Sequence, residues 1–185
     1  MRACVQASTR GEARGSLTVM NPRIYHVLFL CTGNSARSIL AESLLNDVGK
    51  GRFRAFSAGS FPKGQVHPLA LELLHERGLP TEGLRSKSWD DYAAPDAPSL
   101  DFILTVCDNA AGEACPVWPG KPTSAHWGIP DPATAKGSDS ERRAAFAAAL
   151  KALDARIKRF VALPIESMQP QQLKTAMQEI GRTTP

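Results

Sequence analysis

The sequence predicts an α/β fold: a three-layer α/β/α sandwich built on a four-stranded parallel sheet. Three observations carry this reading. Short apolar runs recur at 24–30, 52–60, 101–107 and around 124–129, bounded by turn residues. Segments of helical periodicity separate them, and strands alternating with helices close as a parallel sheet covered on both faces. The runs IYHVLFL and DFILTVC are apolar at most positions, as strands buried on both sides are.

The elements follow in order. After the strand at 24–30, SILAESLLNDVG places Ile39, Leu40, Ser43, Leu44 and Val48 near helical spacing, and Gly49 stops the helix. RFRAFSAGS alternates and ends in turn residues, so it reads as the second strand. HPLALELLHERG is a helix with Pro68 in its first turn and Gly78 as terminator. DFILTVC, the third strand, ends at Cys107 and leads into a loop expected over 108–122. A short strand in SAHWGI follows, then the irregular stretch IPDPATAKGSDS. The last long segment, SERRAAFAAALKALDARIKRFVAL, is amphipathic, with Phe146, Leu150, Leu153, Ile157 and Phe160 on one stripe. The catalytic domain is therefore expected over 24–162. Residues 163–185 are expected to be a loosely attached tail, helical between Gln171 and Ile180. Residues 1–23 read as a flexible leader, either preceding a start at Met20 or serving as an Arg- and Ser-rich targeting segment.

Composition narrows the function. At 185 residues and 43% hydrophobic content, the chain holds enough apolar surface for a real core. Of the net charge of +4, the excess of Arg2, Arg10, Arg14 and Arg23 over Glu12 lies in the first 23 residues. The nearly neutral remainder lacks a basic face interleaved with aromatics, so no nucleic-acid partner is expected. No apolar run approaches the roughly 18–20 residues needed to cross a bilayer, so no membrane partner is expected either. Four cysteines beside a normal core do not describe a disulfide-stapled secreted module. They suit a reducing cytoplasm, where clustered cysteines signal catalysis, redox exchange or metal. There is no CxxC or HExxH pattern, and His67, His75 and His126 sit beside helix or strand signals, so no metal site is expected. A monomer is expected.

The segment CTGNSARS carries the chemistry. It joins a strand to a helix, so its amides converge at a helix start, where partial positive charge favours an anion. Thr32, Gly33, Asn34, Ser35, Ala36, Arg37 and Ser38 thus form a candidate oxyanion-binding loop. Gly33 is expected to take a backbone angle that other residues resist, and Asn34 tolerates the left-handed region. Arg37 adds a planar fork that matches two oxygens of a tetrahedral oxyanion. The same field is expected to favour the thiolate of Cys31, with Ser38 as a hydrogen-bond donor to sulfur. The competing reading is a structural cysteine in an ordinary strand-to-helix turn. Cys31, Cys107 and Asp131 all follow predicted strands, and in such sheets reactive groups gather beyond the strands' carboxyl ends.

CTGNSARS, FSAGS after the second strand, and the later WGIPDP resemble the low-molecular-weight protein tyrosine phosphatase superfamily, and within it the arsenate reductase branch. The resemblance implies the low-molecular-weight phosphatase-like fold, a Cys31 nucleophile, an oxyanion held by Arg37 and the loop amides, and Asp131 as general acid. Prolines 130 and 132 stiffen the loop around Asp131; the alternative is an aspartate bracing a turn. VCDNAAGEACPVWPG resembles the redox segment of thioredoxin-coupled arsenate reductases. It carries one more residue between its cysteines than the staphylococcal pattern, and Ala36 stands where some such loops have a further cysteine. The resemblance implies that Cys107 attacks Cys31, that Cys115 then attacks Cys107, and that thioredoxin, glutaredoxin or a low-molecular-weight thiol supplies electrons to a protein with no bound cofactor. Arsenate is the implied substrate, with phosphate as its analogue.

Two other functions stay open at this level. A phosphatase would use Cys31, Arg37 and Asp131 alone, but DPATAKG lacks the tyrosines that follow the general acid in that branch. A non-catalytic arsenite sensor would explain the thiols and leave Arg37 and Asp131 without a task.

Overall fold

The computed structural model describes residues 23–112 and 116–183. The expected leader, apart from Arg23, and Cys115 lie outside the described residues. Four strands, β1 (Tyr25–Cys31), β2 (Phe53–Gly59), β3 (Phe102–Thr105) and β4 (Thr123–His126), form one parallel sheet in the order β2-β1-β3-β4. The helices are α1 (Arg37–Val48), α2 (Pro68–Glu76), α3 (Asp108–Gly112), α4 (Asp139–Val161) and α5 (Pro170–Arg182). No described helix is long and apolar enough to cross a membrane.

Alternation of side chains along the strands divides the core in two. Val27, Phe29 and Cys31 point into the larger cluster, which joins residues of the other strands to the apolar faces of α1, α2, α4 and α5. The stripe Phe146, Leu150, Leu153, Ile157 and Phe160 of α4 is wholly within it. Leu28 and Leu30 face the other way, onto Ala58, Tyr92, Leu100 and Ile103. That second face is covered by a 3₁₀ turn at Trp89–Tyr92 and by Trp118, so the outer layer there is thin.

Two segments differ from expectation. The loop expected at 108–122 begins with the one-turn helix α3, where the Cys107 sulfur accepts from the amide of Ala110 at 3.4 Å. The C-terminal segment is corrected from a loose tail to a docked helix. Leu173, Met177 and Ile180 of α5 are buried in the larger core, and the indole Nε1 of the fully buried Trp127 donates to the Met177 carbonyl at 2.9 Å. Gly181 permits the close approach, since a Cβ there would overlap the His126 carbonyl oxygen. The physical reason is spacing: three apolar residues four and three apart make one narrow stripe on a polar helix, enough to dock it.

Because Met177 is fully enclosed, Met177→Ala is expected to cost about 2–5 kcal/mol in denaturant unfolding. A change below about 0.5 kcal/mol, the range of exposed sites, would mean that α5 is not part of the cooperative unit.

Candidate active site

β1 delivers Cys31 to the carboxyl edge of the sheet, and residues 32–36 turn the chain back into α1. Three of the loop carbonyls point outward onto the segment after β2: Thr32 accepts from the amide of Phe61 at 2.9 Å, Gly33 from Lys63 at 3.0 Å and Ser35 from His67 at 2.9 Å. No side chain caps α1, whose N-cap is Ala36, so its first turn is left to an incoming acceptor. The Cys31 sulfur lies 2.9 Å from Ser38 Oγ and accepts from the Asn34 amide at 3.2 Å.

The left-handed residue is Asn34, at φ +39°, and not Gly33. This corrects the expected role of Gly33, which takes no left-handed angle and would bring a Cβ only against the flexible side chain of Lys63, at 3.3 Å from Cε. Asn34 is held in its unusual conformation by its own side chain. Its amide nitrogen donates to Ser38 Oγ and Ser57 Oγ, both at 2.8 Å, and its amide oxygen accepts from the Lys87 backbone at 2.6 Å. Ser57 in turn donates to Glu42, which is paired with Lys87 at 3.1 Å in an almost fully buried bridge. Gly59 closes the arrangement, because a Cβ would overlap the Thr32 carbonyl and come within 2.9 Å of that of Cys31.

A cleft of about 240 Å³ lies over the loop, lined by Cys31, Arg37, Phe61, Lys63, Asn109 and Asp131, among others. A second, of about 380 Å³, reaches Cys107 and shares Arg37, Asn109 and Asp131 with the first. Arg37 donates to Asp131 Oδ2 at 2.8 Å and to the Ile129 carbonyl at 3.2 Å. Asp131 also accepts the Ala133 amide at 3.1 Å and so begins the 3₁₀ turn Pro132–Thr134. Cys107 lies just beyond β3, on the strand next to β1, and its sulfur accepts from the Thr32 amide at 3.4 Å. The second thiol is thus hydrogen-bonded to the residue that follows the first.

Both described cysteines are buried and free. Burial pushes the Cys31 thiol up from its ordinary range, against the hydrogen bonds from Ser38 and the Asn34 amide, which pull it down; the nearby Cys107 adds to the rise. The expectation of a readily ionised Cys31 is corrected for this arrangement. The reason is that Arg37 is spent on Asp131 and Ile129, so the thiol is desolvated without a cation turned toward it. His67 is pushed the other way, below its usual range, by burial and by Lys63 and Arg142. A neutral ring there suits its task, since Nδ1 accepts from the Leu69 amide at the start of α2.

The residues singled out by sequence, Cys31 through Ser38, Cys107 and Asp131, are all brought to one edge of the sheet. Cys115 lies outside the described residues. Sequence reasoning missed Glu42, Ser57 and Lys87, the buried support of Asn34, and Phe61, Lys63 and Asn109 on the rim. One signal for the support was available: Glu42 lies five residues after Arg37 on the face of α1 that carries apolar neighbours, where an acid needs a partner. Among the described residues no cluster of three or more His, Cys, Asp or Glu gathers to hold a metal ion.

A family model for low molecular weight phosphotyrosine protein phosphatase matches residues 26–178. The arsenate reductase of Bacillus licheniformis is 35% identical over 135 residues, 72% of this chain and 93% of that protein. The arsenate reductase of Halalkalibacterium halodurans is 35% identical over 141 residues, 76% of this chain and 96% of that protein. Among solved structures, an arsenate reductase of Archaeoglobus fulgidus is 33% identical with a TM-score of 0.57, covering 74% of this chain and 99% of that one. A thioredoxin-dependent arsenate reductase of Corynebacterium glutamicum is 27% identical with a TM-score of 0.54, covering 76% of this chain but 61% of its own longer chain. The match across 26–178, supported by relatives aligned over nearly their whole length, makes this chain a member of the low-molecular-weight phosphotyrosine protein phosphatase family.

Proposed function

We propose that this chain is an arsenate reductase that works through a relay of three thiols. The observation that carries the reading is the hydrogen bond from the Thr32 amide to the Cys107 sulfur, which keeps a second thiol against the nucleophile's loop. A phosphatase has no use for that thiol. A reductase requires it, since arsenic must leave sulfur with an electron pair. The similarity to arsenate reductases at 35% identity supports the same choice.

In the proposed sequence, the loop amides and Arg37 bind arsenate, and Arg37 exchanges its bond to Asp131 for the oxyanion. The raised Cys31 thiol gives its proton to the bound dianion, and the sulfur attacks arsenic. An As–O bond breaks, and its oxygen leaves as water, with Asp131 assisting the proton transfer. Cys107 then attacks the Cys31 sulfur, its proton passing to an arsenic-bound oxygen. The S–S bond forms, the S–As bond breaks, and its electron pair stays on arsenic, which departs as arsenite. Cys115 attacks Cys107; the Cys107–Cys115 bond forms as the Cys31–Cys107 bond breaks, and the proton given up by Cys115 restores Cys31 as a thiol. An external dithiol protein of the thioredoxin or glutaredoxin class, or a small thiol, reduces the Cys107–Cys115 disulfide. The sum is two thiols oxidised for one arsenate reduced, with one water released. Such a cycle needs a reducing compartment, which favours the cytoplasm. The chain works here as a monomer with no bound cofactor.

Aryl phosphate hydrolysis is a second reading of the same loop. Phe61, 73% exposed at the mouth of the Cys31 cleft, favours it by offering a ring on which an aryl group can rest.

Replacing Cys107 by serine is expected to abolish multiple-turnover arsenate reduction while leaving phosphate binding and slow aryl phosphate hydrolysis intact; undiminished turnover would remove Cys107 from the cycle. Replacing Cys31 by serine should abolish both activities. The pH dependence of Cys31 is also fixed in sign. With the thiol raised by burial, its alkylation by iodoacetamide should rise with pH through a midpoint above that of free cysteine, near 8.5. Ser38→Ala, which removes a bond that pulls the thiol down, should move the midpoint further up. A downward shift in that variant would contradict the assignment.

A further inference from the structure

Cys107 stands at the head of α3, a helix of five residues that cannot hold its own shape. Something outside the helix must fix its start. On the solvent side, Thr105 Oγ1 of β3 bonds His126 Nδ1 of β4 at 2.8 Å, and His126 Nε2 bonds Asp108 Oδ1, the first residue of α3, at 2.9 Å. The chain of contacts runs from one strand to the next and back onto the helix that follows Cys107. Asp108 is 90% exposed and His126 42% exposed in their side chains, so the pair adds little to global stability.

The backbone nevertheless makes room for it. A Cβ on Gly128 would overlap Asp108 Oδ1 and come to 2.6 Å from His126 Nε2. Gly128 has no positive φ, so what glycine supplies there is space and not a backbone angle. The next residue, Ile129, gives its carbonyl to Arg37, and its amide donates to Val106 at 3.3 Å. Asp108 and Gly128 thus line the cleft that also holds Arg37, Asp131 and the second thiol.

We infer that Thr105, His126 and Asp108 form a clasp that positions Cys107, holding the head of α3 so that its sulfur stays on the Thr32 amide, beside the loop that carries Cys31. The inference rests on the reading of Cys107 as the attacking thiol. His126 and Asp108 are positioning residues. They take no part in the exchange, in which the S–S bond forms as the S–As bond breaks and the electron pair remains on arsenic.

The test compares Asp108→Ala, His126→Ala, Asp108→Asn and Gly128→Ala, reading iodoacetamide alkylation of Cys107 and Cys31 by mass spectrometry in the reduced protein, phosphate affinity, and single-turnover arsenite release. Asp108→Ala and His126→Ala should raise Cys107 alkylation by about fivefold, the size of a lost surface contact, and slow arsenite release, with Cys31 alkylation and phosphate affinity unchanged. Asp108→Asn, which keeps an acceptor for Nε2, should behave as the unaltered protein, and Gly128→Ala should reproduce Asp108→Ala by wedging the clasp apart. Unchanged Cys107 alkylation in both alanine variants, or equal effects of Asp108→Ala and Asp108→Asn, would overturn the proposal. Alkylation needs no arsenate, so a protein inert to arsenate would refute the reductase reading separately.

Discussion

The site depends on the left-handed turn at Asn34, which no open loop would hold for long. A non-glycine residue at positive φ is tolerated only when its surroundings over-determine it. Here the surroundings are chemical. The Asn34 side chain uses both amide hydrogens and its oxygen on Ser38, Ser57 and the Lys87 backbone, all within the buried interior. With that turn fixed, the loop carbonyls point out to the segment behind β2, and the Asn34 amide points in to sulfur. The Glu42–Lys87 bridge anchors the far end of the network through Ser57. A buried bridge of this kind is weak as a source of stability, and its use here is to fix one conformation of a loop that would otherwise have several.

The state of Cys31 follows from the same enclosure. The loop that positions sulfur also strips it of water, and desolvation outweighs the hydrogen bonds from Ser38 and the Asn34 amide while Arg37 is turned to Asp131. The thiol therefore carries a proton when the anion arrives. That proton is one the departing oxygen requires, so a raised thiol meeting a dianion brings the same charge and protons to the loop as a thiolate meeting a monoanion. Arg37 and Asp131 satisfy each other until an oxyanion competes for the guanidinium.

Much of this was legible in the sequence, for identifiable reasons. The strand runs and the α4 stripe are long and regular, so periodicity located them. Cys31 through Ser38 lie contiguous, so a strand end followed by a helix start is enough to bring them together. Cys107 and Asp131 could be placed only through topology, because parallel strands carry their ends to one edge. What stayed illegible was non-local. Lys87 reaches Glu42 from 45 residues away with no pattern to announce it. The Gly33 assignment failed because the left-handed angle fell on the next residue, Asn34, whose side chain finds partners that sequence does not show. The docking of α5 was missed because its three anchors sit in a polar segment, and only the indole of Trp127 and the space above β4 reveal what they cover.

The central claim is that the two sulfurs brought together beside Thr32 form a bond as arsenic leaves. Disulfide mapping of a Cys115→Ser protein exposed to one equivalent of arsenate, without any external reductant, tests it most directly. The account predicts about one arsenite released per chain, together with a Cys31–Cys107 linkage that persists for want of the Cys115 thiol. Arsenite released with both sulfurs still reduced, or with Cys31 joined to anything other than Cys107, would contradict it.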